Sequence, residues 1–144
     1  MLFSKACTYA IRAAVLAAAK DPDGRRAFIP IRELADELGV SFHFLTKILR
    51  RLTEVKIMES FRGPNGGVGL THPAKQVSVI DIVAAIDGMS LFEGCALGLP
   101  QCSDASPCPL HDAWAKRRED LRVMLTRTTL DALIQNQSSR SSRG

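Results

Sequence analysis

With 144 residues, 46% hydrophobic and only 6% aromatic, the chain has room for one domain and a short appendage, its core built from Ala, Leu, Ile and Val. No stretch approaches the roughly 18 apolar residues of a membrane helix and no export segment is evident, so the expectation is a cytoplasmic protein, not a membrane one, with reduced cysteines. The net charge of +4 sits entirely in the first half, with 11 Lys and Arg against 7 Asp and Glu over residues 1–72 and 8 against 8 over residues 73–144, which suits that half to a polyanionic partner.

Residues 4–20 place Ala6, Tyr9, Ala10, Ala13, Leu16 and Ala17 on one face at helical spacing, with Ser4 as N-cap. Asp21-Pro22-Asp23-Gly24 ends this helix, because a residue before Pro is pushed out of the helical region and Gly accepts a left-handed turn. Pro30 precedes a short helix over residues 31–38 with Ile31, Leu34, Ala35 and Leu38 facing inward, and Gly39-Val40 turns into a second helix from Ser41. There Phe42, Leu45, Leu49 and Leu52 form the inner face, leaving Ser41, His43, Thr46, Lys47, Arg50 and Arg51 toward solvent.

Extended runs over residues 57–62 and 68–70 then flank Gly63-Pro64-Asn65-Gly66-Gly67, a composition suited to a hairpin turn. Val79, Ile82, Val83 and Ile86 resume helical spacing, closed by Gly88. Residues 94–111 have no periodicity, and a loop of that length in a small domain usually carries function. Beyond it Leu110, Trp114, Leu121, Leu125 and Thr128 lie near one stripe of a long helix, residues 129–134 suggest a short final turn, and the polar Ser/Arg tail is expected to be disordered.

The predicted fold is mainly α with a small β-hairpin. It comprises a winged helix-turn-helix DNA-binding domain over residues 1–88, a loop over 89–111, a dimerisation helix over 112–135 and a disordered tail over 136–144. A helix-turn-helix presents hydrogen-bonding side chains of its second helix to base edges in the major groove. Ser41, His43, Thr46 and Lys47 stand near the N-terminal end of that helix, where base contacts concentrate, while Arg50 and Arg51 are better placed for phosphates. On the wing, Ser60, Arg62 and Asn65 border a glycine-rich turn whose width fits the minor groove. A solvated basic face explains any one of these features, but their order along the chain points to double-stranded DNA.

Cys95, Cys102, Cys108 and His111 form the pattern Cys-x6-Cys-x5-Cys-x2-His. Three soft thiolates and an imidazole suit zinc or an iron-sulfur cluster. Structural zinc sites use shorter Cys-x2-4-Cys knuckles, so the wider spacing here favours a larger, multi-metal cofactor, with a zinc or thiol-disulfide switch as the alternative. Cys7, alone in the Ala-rich first helix, reads as a small buried hydrophobe. No paired carboxylates or nucleophile–base set stands out, so an enzyme is not expected.

Four segments together resemble the IscR/NsrR family of iron-sulfur winged-helix regulators, within the Rrf superfamily. They are Tyr9-Ala10-Ile11-Arg12-Ala13, Ile31-Arg32-Glu33-Leu34-Ala35, Phe61-Arg62-Gly63-Pro64-Asn65-Gly66-Gly67 and the three-cysteine loop. The resemblance implies a homodimer on a pseudo-palindromic operator and a cluster held by Cys95, Cys102 and Cys108, with His111 as fourth ligand and 2Fe-2S favoured. Some relatives instead take a carboxylate from helix one of the partner subunit and bind 4Fe-4S. The matching position here is Thr8, next to Cys7, a thiol that could substitute. Thr46 stands where IscR-like members carry a Glu that tunes site choice, so their operator sequence does not carry over.

Overall fold

In the computed structural model the described residues are 2–25, 27–99 and 104–141, with side chains through residue 136. Helix α1 (Lys5–Ala19) begins at Ser4, whose Oγ accepts from the Cys7 amide at 3.0 Å. This is a standard N-cap that satisfies one of the helix's unpaired amides. Its core face is almost all small: Cys7, Ala10, Ala13, Ala14, Ala17 and Ala18 are buried, together with Val15. Small side chains let neighbouring helix axes come close, and α1 is accordingly packed on several sides.

Helices α2 (Ile31–Leu38) and α3 (Phe42–Glu54) form the helix-turn-helix. Gly39 caps α2 in the left-handed conformation at φ 70°, a position that costs a residue with a Cβ. Ser41 caps α3 by accepting from the Phe44 amide at 3.0 Å. Leu45, Ile48, Leu49 and Leu52 form the buried stripe of α3. The expectation that Phe42 turns inward is corrected: it is 43% exposed, with the Arg32 guanidinium 4.9 Å from its ring centroid, and Ile48 takes its place in the core. At the first position of a helix the chain has not yet come over the core, so spacing alone misplaces the stripe.

Strands β1 (Met58–Phe61) and β2 (Gly67–Leu70) pair antiparallel, from Met58 opposite Leu70 to Phe61 opposite Gly67. The outer edge of β2 meets the chain leading into α2, where Ile29 and Val68 exchange two backbone hydrogen bonds of 2.9 Å. Gly67 is required by that contact, since a Cβ there would lie 2.1 Å from the Ile29 carbonyl oxygen.

Helix α4 (Val79–Ile86) follows a capping box of Ser78 and Asp81, and buries Val79, Ile82, Val83 and Ile86 as their spacing predicts. The short α5 (Ser90–Glu93) leads into the cysteine loop, and α6 (His111–Arg127) leaves it. Where a short turn and a structureless tail were expected, the chain breaks at Thr128 and forms α7 (Leu130–Ser141), packed on α1. Two backbone bonds of 2.9 Å fix that corner, from Val79 N to Thr128 O and from Leu130 N to Val77 O. Leu130 is fully buried beneath it. The polarity of α7 hid it, because a helix anchored by a few apolar residues at one end shows little periodicity.

Substituting Gly67→Ala should lower stability by about 1–3 kcal/mol, the usual cost of forcing atoms into a packed site. Urea unfolding followed by circular dichroism measures it, and an unchanged midpoint would refute the Ile29 contact.

Candidate functional site

The predicted groove-reading residues lie along α3 and at its N-cap. Ser41, His43, Lys47 and Arg50 are exposed, and Thr46 is half-buried. The Ser41 Oγ accepts its capping bond and keeps a proton to donate, whereas Thr46 Oγ1 donates to the Phe42 carbonyl at 2.7 Å and keeps lone pairs to accept. Arg51 differs from its neighbours. Its Nη2 donates to the carbonyls of Ala85 and Ile86 at 3.2 and 2.9 Å, so this guanidinium is anchored to the end of α4. Helical spacing could only place Arg51 on the outer side of α3; it could not show that α4 ends there.

Ser60, Arg62 and Asn65 are exposed on the wing. The Gly66 amide closes the tip by donating to Gly63 O at 3.0 Å. Phe61 is 58% exposed and packs on Phe28 at 5.5 Å between ring centroids, which braces the base of the hairpin.

In the cysteine loop, Cys95 and Cys108 are half-buried, His111 is buried at 8% exposure, and Cys102 lies outside the described residues. Among the described residues no three His, Cys, Asp or Glu side chains gather at metal-holding distance. The surroundings are nevertheless specific. The Leu97 amide donates to Cys95 Sγ at 3.4 Å, and the His111 amide donates to the Cys108 carbonyl at 3.0 Å. His111 Nε2 is 2.7 Å from Asp104 Oδ1. The Gly94 carbonyl, one residue before Cys95, accepts from Trp114 Nε1 and Arg118 Nη1, both at 2.9 Å. Trp114 and Arg118 lie one turn apart on α6 and clamp the start of the loop to the helix that leaves it. Sequence reading missed this pair and Asp104, and only the i, i+4 spacing of the lone Trp and an Arg hinted at the clamp.

Cys7 is fully buried behind the α1 N-cap. Burial, reinforced by the nearby Asp87 carboxylate, pushes its thiol up to about 12. The thiol is thus held neutral and out of solvent, as a small apolar side chain of the core. The neutral thiol therefore contributes stability that is intact below its ordinary pKa of 9.0 and is lost as pH rises toward about 12. At pH 8 iodoacetamide should leave Cys7 unmodified in the native protein and label it in urea; equal labelling in both, read by peptide mass spectrometry, would contradict its burial.

The profile of the Rrf2 family, described as iron-dependent transcriptional regulator, matches residues 3–136. Protein aau3 of Rhizobium meliloti (strain 1021) is 33% identical over 135 residues, covering 93% of this chain and 85% of that protein. The HTH-type transcriptional regulator IscR of Cronobacter sakazakii is 28% identical over 109 residues, covering 76% and 67%. Among solved structures, CymR, the global cysteine regulator of B. subtilis, superposes with a TM-score of 0.78 at 20% identity, covering 93% of this chain and 96% of that one. T. potens IscR gives 0.73 at 19%, covering 93% and 86%. These two likenesses establish the winged-helix fold, and the relatives named as regulators act in transcription and not as enzymes. The chain belongs to the Rrf2 family of transcriptional regulators.

Proposed function

We propose that the protein is a homodimeric regulator that binds a pseudo-palindromic operator through α3 and the wing. It senses redox state, nitric oxide or iron-sulfur supply through a cluster held by Cys95, Cys102, Cys108 and His111. The clamp of Trp114 and Arg118 on Gly94 carries this reading, because it ties the first thiol to the helix that begins with the His. The donor chemistry fits: thiolates are the usual iron-sulfur ligands, and an N–H bond onto Cys95 Sγ is the kind of contact that tunes such a centre. Ligation through His111 Nδ1 would leave its Asp104 bond in place, and a carboxylate behind a ligating imidazole fixes its tautomer and orientation. Three thiolates and one His from a single loop form a complete set for 2Fe-2S, and the burial of Cys7 within its own chain favours that set over a 4Fe-4S cluster completed by the Cys7 thiol. When bound, the cluster supplies a redox-active centre that oxidation or nitrosylation can destroy.

The chain's own residues do the rest. His43, Lys47 and Thr46 face base edges, Arg50 and Arg62 neutralise phosphates, and Ser41, Ser60 and Asn65 supply neutral hydrogen bonds. Helix α6, with only His111 and Leu125 buried, pairs with its counterpart in the second subunit, setting the two α3 helices about 34 Å apart, one turn of DNA.

The variant Cys102→Ala should abolish the visible chromophore of anaerobically prepared protein while its helical circular dichroism is retained. A native spectrum in the variant would remove Cys102 from the ligand set, and colourless wild-type protein rich in zinc would favour the metal-switch alternative. Lys47→Ala and Arg62→Ala should each weaken operator binding, and Arg62→Ala should reduce the slope of log affinity against log salt by about one. Unchanged electrophoretic retardation across the salt series would reject the interface.

A further inference from the structure

The last carbonyls of an α-helix have no partner within it and carry the negative end of its dipole, so a cation placed there binds with direction. At the C-terminal end of α4 that cation is Arg51, reaching from the last turn of the recognition helix to Ala85 O and Ile86 O. The next residue, Asp87, is held from the other side: its Oδ2 accepts from the Ser4 amide at 2.9 Å and its Oδ1 from Ser4 Oγ, the cap of α1. From there eight residues, 87–94, lead through α5 to Cys95, and the last of them is Gly94, whose carbonyl Trp114 and Arg118 hold. A single short segment, residues 85–94, is thus gripped at one end by the recognition helix and at the other by α6, at the point where the cysteine loop begins.

We infer that Arg51 is a positioning residue that transmits the state of the cysteine loop to α3, and not a phosphate contact. The inference rests on the cluster reading given above. Rearrangement around Cys95 pulls on α5 and on the Ile86–Asp87 end of α4. Apolar contacts between α3 and α4 can slide, but hydrogen bonds to two adjacent carbonyls are directional, so the guanidinium carries the displacement into α3. Lys47 lies one turn earlier on the same helix and moves with it. The Asp87–Ser4 bonds hold α1 as the fixed reference against which that motion occurs.

The test compares operator affinity of anaerobic, cluster-loaded protein with that of the same protein after cluster removal, in wild type and in Arg51→Met, which keeps the aliphatic stem and removes the donors. The wild-type affinities of the two forms should differ by a factor of about 5–150, the usual range of allosteric coupling. In Arg51→Met that ratio should fall to near one, with the cluster absorbance and the salt dependence of binding unchanged. Arg50→Ala is the contrast: it should weaken both forms alike, keep the ratio and lower the salt slope by about one. If Arg51→Met behaves as Arg50→Ala is expected to, or keeps the wild-type ratio, the inference is overturned. Should Arg51→Met not fold, Arg51→Gln is measured in the same way against the same two outcomes. Wild-type protein that never acquires iron-sulfur absorbance instead overturns the cluster reading, and with it this inference. A chromophore with an unchanged ratio in the variant overturns the inference alone.

Discussion

Five elements of the protein are placed by contact with α1 and its small-residue face. Ala10, Ala13, Ala14 and Ala17 present a surface without long side chains, against which α2, α3, α4, β2 and α7 all pack. Interaxial distance depends on the residues at the contact, so a helix of alanines can sit at the centre of a small domain where a leucine-rich one would push its neighbours apart. The same economy explains the low aromatic content. A core of methyls and branched aliphatics leaves little space for rings, and most of the aromatic residues lie partly or fully exposed, Phe42 and Phe44 on α3 and Phe61 on the wing among them.

Helix α4 relates that centre to both the helix-turn-helix and the cysteine loop. Its entry is joined to the α6–α7 corner by the paired backbones of Val77–Val79 and Thr128–Leu130. Its exit is joined to α3 through Arg51 and to α1 through Asp87. The cysteine loop therefore hangs between two points of one rigid strut, with α6 closing the circuit through Trp114 and Arg118. Packed helices and directional hydrogen bonds are the kind of contiguous network through which a loop can act on a distant helix, and α4 with its bonded ends joins the two.

Much of this was legible from residue order. Ser4, Gly39, Ser41 and the Gly63–Gly67 turn mark element ends by local chemistry that depends on a few neighbouring residues, and the structure has each boundary within a residue or two of its expected place. The apolar spacing of Leu45, Leu49 and Leu52 identified the buried side of α3, and that in turn identified the exposed one. Other features could not be read. Phe42 and Ile48 exchange roles because burial depends on where the helix crosses its neighbours, and α7 owes its existence to packing on α1 rather than to its own periodicity.

The sequence by itself determined the order and kind of the elements, the polarity of α3 and the spacing of three cysteines and a histidine between α5 and α6, since these follow from short-range spacing and side-chain chemistry. Only the tertiary structure decided that Arg51 is bonded to α4, that Asp104 stands behind His111, and that Trp114 and Arg118 grip Gly94. Each of those contacts joins a side chain to a carbonyl or carboxylate in another element, or across an irregular loop. Their geometry is set by how the elements pack, which no local pattern of residues encodes.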